Sequence, residues 1–246
     1  MFSHYFFSVA AAAVLSLALD ASAASLTVGF DRLEADAPVD TAANYAMTMS
    51  SFTDNGDDWV RFRFDHQDNT PGITNAHLRR IFLQDRGALF WDGSDAMTLN
   101  GRFNADLSHP SVDFVDPFVT PQALPGQGQI GFSTSYMADS ATPMPNQKAI
   151  NLDEWGVFDL QLSSGRSFAD VQSQLFDEFR VGLHVISIEV EGFPDEDWSD
   201  SFIIAPLPPA AGAGLALLTT LGVGACTSCV AVSSTWRWVT WWACRP

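Results

Sequence analysis

Residues 59–64 read Trp-Val-Arg-Phe-Arg-Phe. Apolar and charged side chains alternate there with a period of two, so a strand places Val60, Phe62 and Phe64 on one face and Arg61 and Arg63 on the other. A helix would scatter the two sets around its circumference, so the stretch can bury its apolar groups together only as a pleated strand. The same alternation recurs at 25–30 (SLTVGF), where Leu26, Val28 and Phe30 share a face. Further candidate strands lie at 76–83, 129–135, 155–162 and 180–188. Turn formers collect between them, as Asp54-Asn55-Gly56-Asp57, Asn69-Thr70-Pro71-Gly72 and Leu124-Pro125-Gly126-Gln127-Gly128. Short strands with one hydrophobic face each must cover that face, and two packed sheets do so. The predicted fold is therefore all-β, a β-sandwich-like body.

One short helix is expected within it. Ser167 is a good N-cap for residues 168–176, with Asp170 placed to complete a capping box. Phe168, Val171, Leu175 and Phe176 then form a single apolar stripe, suited to packing across an edge of the sheets.

The chain has 246 residues, with 29 acidic residues against 12 basic ones and a formal net charge of −17. A surface that negative repels phosphate backbones, which argues against nucleic acid as a partner. Hydrophobic residues make up 47% of the chain, with 19 Phe and 8 Trp, enough apolar bulk to build a core. The charge is confined to the middle. Among the acidic residues only Asp20 lies outside residues 25–200, and among the basic ones only Arg237 and Arg245.

The two uncharged ends read as addresses. Residues 1–24 contain an apolar run followed by Ala21-Ser22-Ala23, a small-residue cleavage site of the signal-peptide kind, with Ala21 and Ala23 at the recognised positions. Residues 201–236 contain no Asp, Glu, Lys or Arg. Within them, 210–232 is long enough as a helix, at about 1.5 Å rise per residue, to cross a bilayer core of roughly 30 Å. Its Gly and Ala content is high, which membrane helices tolerate. The expected organisation is a signal peptide at 1–24, an acidic β domain at 25–200 and a C-terminal membrane-crossing segment with its tail at 201–246.

Pro206-Leu207-Pro208-Pro209-Ala210-Ala211-Gly212, followed by Leu215, Leu217, Leu218, Leu221 and Gly222, resembles the C-terminal sorting signals called PEP-CTERM, in their Pro-Leu-Pro variant. In that family a short Pro-containing motif precedes a membrane helix and a basic terminus, and a membrane-embedded exosortase processes the tag during export by exopolysaccharide-making bacteria. The sequence departs from the family after Gly224. An Arg-rich tail is replaced by Cys226, Cys229, Cys244 and a Trp-rich run holding only Arg237 and Arg245.

A second, weaker resemblance covers 151–202. Glu154-Trp155-Gly156-Val157-Phe158, Gly165-Arg166-Ser167-Phe168 and Gly182-Leu183-His184-Val185 are similar to the end of the extracellular domain in such sorted proteins. The resemblance implies export through the secretion translocon, processing by an exosortase-type enzyme at Pro206, Leu207, Pro208 and Pro209, and a transient membrane anchor. It implies a place in the envelope or extracellular matrix among exopolysaccharide and other envelope components. It brings no enzymatic activity.

Site chemistry in the body is sparse. All cysteines lie in the tail, so the domain is expected to stand without a disulfide, and a C-x-x-C pair beside a membrane segment is not placed for redox work. His184 is expected to be a half-buried, hydrogen-bonded structural residue. His66, His77 and His109 show no zinc spacing. Asp54, Asp57 and Asp58 surround Asn55-Gly56 and offer hard oxygens around a glycine turn, the ingredients of a speculative calcium site, although the run does not fit the EF-hand register. The other reading is a solvated turn. The acidic run around Trp198 reads as a stalk before the C-terminal segment.

No cofactor is expected apart from that calcium. The leading function is a non-catalytic structural or interaction role. The alternative is a carbohydrate-binding module, stacking sugars on Trp59, Trp91, Trp155 or Trp198 and assisted by calcium. A secreted hydrolase would need two convergent carboxylates in a cleft, and no nucleophile elbow or phosphate loop is present.

Overall fold

A computed structural model describes residues 25–90, 101–115, 122–193 and 196–205. The signal-peptide residues Ala21 and Ala23, the motif Pro206 to Pro209, the 210–232 stretch and Trp91 lie outside these residues. Among the described residues no helix is long and apolar enough to cross a membrane.

The body is all-β, as the alternation predicts. Its principal strands are β1 (Ser25–Glu34), β2 (Tyr45–Asp54), β3 (Asp57–His66), β4 (Ile73–Asp85), β5 (Gly101–Phe103), β6 (Tyr136–Asp139), β7 (Ile150–Asn151), β8 (Glu154–Gln161), β9 (Phe179–Val190) and β10 (Trp198–Ala205). A one-turn α1 (Pro145–Lys148) precedes β7, and α2 (Phe168–Gln174) lies between β8 and β9. The hydrogen-bonded order is β5-β8-β3-β2-β1-β10-β9-β4-β6, with β7 also on β4 and each of these strand pairs antiparallel.

The sheet is one continuous path where two separate sheets were expected, and β1 is the reason. Its first half, Ser25 to Val28, pairs with β2 from Ser50 to Met47. Its second half, from Gly29 onward, pairs with β10 from Ala205 to Ser201. A strand shared in this way joins two half-sheets, and the curl brings their inner faces together. Phe62 on β3 meets Phe179 on β9 at 5.9 Å between ring centroids, and Tyr45 on β2 meets Phe202 on β10 at 4.9 Å. Val60, Phe62, Phe64, Met47 and Met49 from one half join Val181, Leu183, Val185, Leu78 and Ile81 from the other in a single buried cluster.

The register of β3 is as read from 59–64. Val60, Phe62 and Phe64 are buried, whereas Arg61 is half-buried and Arg63 exposed. The predicted helix is present but shorter than the expected 168–176: the Ser167 hydroxyl accepts from the Asp170 backbone N–H, the Asp170 carboxylate accepts from the Ser167 backbone N–H at 2.7 Å, and the helix stops at Gln174, leaving Leu175 extended and Phe176, expected on the apolar stripe, exposed with a positive φ.

Three expectations need correction. Residues 129–135 do not form a strand. They run through a 3-10 turn (Gln127–Gln129) and a left-handed Gly131, and the carbonyls of Ile130 and Gly131 accept hydrogen bonds from Arg180. The residues around Trp198 are not a stalk. Trp198–Ala205 is β10, with Phe202 fully buried and Asp200 only 1% exposed. The sheet consequently runs on to Ala205, past the expected limit at Asp200.

Candidate functional site

The outward face of the β2-β3-β8-β5 half carries the charged residues that the alternation excludes from the core. Asp159 on β8 is its centre. Arg61 holds it with two parallel hydrogen bonds, Nε to Oδ1 at 2.7 Å and Nη2 to Oδ2 at 3.0 Å, and Asn104 donates to Oδ2 at 3.1 Å. Arg102 stands 3.5 Å from the same Oδ2 and donates to Asp54 at 3.0 Å. The carboxylate of Asp159 is fully shielded, so its charge is balanced by fixed guanidinium donors and not by water.

Each arginine of this face also lies over an aromatic ring. Arg61 sits 4.5 Å from the Phe52 centroid, Arg102 4.6 Å from Trp59, and Arg63 4.8 Å from Trp155. Planar guanidinium groups stack this way while keeping their edges free for carboxylates. One candidate stacking residue is thereby withdrawn: Trp59 is only 8% exposed, lying beneath Arg102 and beside Phe52. Trp155 stays half-buried, with Arg63 over its ring and its indole N–H donating to the Leu107 carbonyl at 2.9 Å. Trp198 packs edge-on against the exposed Phe193.

The expected calcium ligands occupy the β2–β3 hairpin. Asn55 and Gly56 both have positive φ, the conformation of a tight two-residue turn, which is the reason for an Asn-Gly pair there. Asp54 accepts from Arg102 and from the Asn55 side chain, and Asp58 accepts from Thr53 at 3.1 Å. Asp57 and Asp58 line a cavity of about 450 Å³ together with Ser164, Gly165 and Arg166. Among the described residues no group of three or more His, Cys, Asp or Glu is set to hold a metal ion.

A second cavity, of about 420 Å³, opens where β3 ends and β8 begins. It is lined by Trp155 and Arg63, by Asp65, Asp68, Asp153 and Glu154, and by His66, Gln67 and Asn69. Its two rims are tied together by the Asp153 N–H donating to the His66 carbonyl at 2.7 Å. His66 is wholly buried, and burial pushes its pKa down to about 4, against a smaller upward pull from its bond to Ile150. Its Nδ1 lies 3.0 Å from the Ile150 carbonyl oxygen, which can only accept, so Nδ1 carries the proton. Nε2 is then an acceptor with no partner among the described residues. Sequence spacing gave no sign of this site, because its walls come from two turns far apart in the chain.

His184 lies on β9 beside Ser201 and Arg80, half-buried as expected, in a shallow cavity with Glu34 and Asp36. Its expected hydrogen bond is not found: among the described residues Nδ1 is buried with no partner. Burial first, and then the charges of Arg80 and Arg79, lower its pKa to about 4, so it is neutral at pH 7. No family model matches the chain, and neither does a curated protein or a solved structure.

Proposed function

We propose that this chain is an exported envelope or extracellular-matrix protein whose role is structural or interactive and not catalytic. In this reading residues 1–24 direct it through the secretion translocon, and the 210–232 stretch holds it at the membrane. An exosortase-type enzyme then acts near Pro206, Leu207, Pro208 and Pro209, leaving a β-sandwich-like body among exopolysaccharide or other envelope components.

The observation that supports it most is the pairing of Gly29 with Ala205. Neighbouring strands lie about 4.8 Å apart, and Ser25 stands roughly 13 Å further along β1 at the strand rise. The points at which the two uncharged segments join the body are therefore at one end of the sheet. A domain attached to a membrane through either segment, or through both, presents the same opposite end to its surroundings. The proline pattern agrees: a chain continuing from Ala205 along β1 meets Pro206, Pro208 and Pro209, which have no N–H to extend the ladder.

The test is fractionation with intact-mass measurement of the full chain and of a chain stopped after Ala205. The full chain should appear in the envelope fraction, beginning near Ala24 and trimmed near Pro206, and the stopped chain should be released to the medium. Equal distribution of the two, or a full chain that stays in the cytoplasm with residues 1–24 intact, would overturn the reading.

A further inference from the structure

Eight asparagines are spread along the sequence, and only two are followed by glycine, at 55–56 and 100–101. At such a step the next backbone nitrogen can reach the asparagine side chain unobstructed, because glycine has no Cβ to stand in the way. Asn55 and Gly56 are the two loop residues of the β2–β3 hairpin, beyond the last cross-strand pair, Asp54 with Asp57. Gly101, by contrast, is held within β5 opposite Leu160.

The hairpin step is open to reaction on every side. Both residues are exposed, and a Cβ on Gly56 would meet nothing within 4 Å, so nothing packs on the turn. The Gly56 N–H has no acceptor among the described residues. Asn55 spends only Nδ2, on Asp54 Oδ1 at 3.1 Å, which leaves its side-chain carbonyl uncommitted. Gly56 also lines the cavity of about 450 Å³ beside Asp57 and Asp58, where water has access to the turn. Asn44 shows the opposite environment: it is 1% exposed, and its side-chain oxygen accepts from Asn69 at 3.1 Å and Thr70 at 2.8 Å.

We infer that Asn55-Gly56 is a self-modification site, at which Asn55 loses its amide in the folded protein. The Gly56 nitrogen gives its proton to water and bonds to Asn55 Cγ, the Cγ–Nδ2 bond breaks, and ammonia leaves with a proton from water. Water then opens the cyclic imide at either carbonyl. One opening leaves an aspartate at position 55, the other an isoaspartate whose backbone runs through Cβ and Cγ. No oxidant or reductant takes part.

Either product adds a negative charge to a turn that already holds Asp54, Asp57 and Asp58. The isoaspartate also lengthens the loop by a chain atom, for which a two-residue turn has no slack. The contact it disturbs is the one from Arg102 to Asp54, at 3.0 Å, made by the guanidinium that lies over Trp59. This goes beyond placement of the protein and does not depend on it.

The test incubates the purified full chain in mildly alkaline buffer, with and without urea, and follows its peptides by mass spectrometry. Asn55 should convert faster than every asparagine not followed by glycine, and in the folded chain at no less than about one tenth of its rate in urea. Gly56→Ala should slow the conversion by about tenfold or more. Because a φ of +91° strains alanine, Asn55→Asp is a second variant that the turn accommodates, and it should co-elute with the aspartate product on an ion exchanger. The isoaspartate fraction should exchange amide hydrogens faster over residues 53–58.

An Asn55 that keeps its amide in the folded chain while losing it in urea, or conversion at Asn100 alone, would overturn the inference. So would a rate untouched by Gly56→Ala, a product that does not co-elute with Asn55→Asp, or unaltered exchange over 53–58.

Discussion

Arg32 on β1 and Asp200 on β10 form an ion pair inside the sheet, with Nη2 standing 2.8 Å from Oδ2 and 2.9 Å from Oδ1. The Asp200 side chain is fully excluded from solvent, and its Oδ1 also accepts from the backbone N–H groups of Asp36 at 2.8 Å and Ala37 at 3.1 Å. One carboxylate thus fastens the loop after β1 to the last strand. Removing one partner of a buried pair leaves the other charge without compensation, which costs about 3–5 kcal/mol. Asp200→Ala should lower stability by that order, read from urea denaturation. Asp200→Asn should cost less, since its oxygen still accepts from the two backbone groups.

The end of the body can be tested by truncation. A chain stopped after Ala205 keeps β10 whole, with Phe202 against Tyr45 and Ile204 in the core. A chain stopped after Asp200 loses both residues and the whole β1–β10 ladder. The longer chain should melt cooperatively and resist limited proteolysis, and the shorter should do neither. Equal stability of the two would show that the β1–β10 ladder is dispensable.

Acid should destabilise the protein through His66. Its folded pKa, about 4, lies below the ordinary value of 6.5, so between these values the unfolded chain binds a proton that the folded chain refuses. Stability from this residue is present above pH 6.5, falls as pH drops toward 4, and changes no further below that. Between pH 7 and pH 5 the loss is about 2 kcal/mol. His66→Gln keeps a donor for the Ile150 carbonyl and should flatten the urea midpoint between those two pH values by a corresponding amount.

Gly182 on β9 has no room for a side chain. A Cβ there would stand 2.5 Å from Leu124 Cδ2 and 3.4 Å from the Phe202 carbonyl oxygen. Leu124 is itself buried with Phe82, Phe132 and Met137, so it cannot swing clear. Gly182→Ala should cost about 1–3 kcal/mol by over-packing, measurable as a lower Tm. Gly165→Asn is the contrasting case: its φ is +77° with nothing within 4 Å, so Asn should be tolerated.

The strands legible in the sequence were those with large β-branched or aromatic residues in alternation, such as β1, β3, β8 and β9. Capping was legible as well, because Ser167 and Asp170 interact within one turn. β2 was not, since Tyr-Ala-Met-Thr-Met-Ser-Ser-Phe alternates with small and flexible side chains whose preference is weak. β10 was hidden by its own charge. Asp200 reads as solvated until Arg32, 168 positions away, is seen to neutralise it. The same separation conceals the β3–β8 cavity, whose Asp68 and Asp153 are unremarkable loop acids in the linear chain. Of the proposed stacking residues, Trp59 could not be told from a buried one, because only the fold brings Arg102 over its ring.

The sharing of β1 between two neighbours also governs the order in which the body can be completed. β1 comes off the ribosome first among the strands and β10 last. Residues 25–28 find β2 almost at once, but residues 29–34 must wait for a partner encoded at the far end of the domain. Such long-range closure is slow, because the whole intervening chain has to be ordered before the contact is rewarded. Until Ala205 arrives the curl has a missing stave, and the second half of β1 stands without its neighbour. The last strand is a latch: the body shuts only when its final residues have been made.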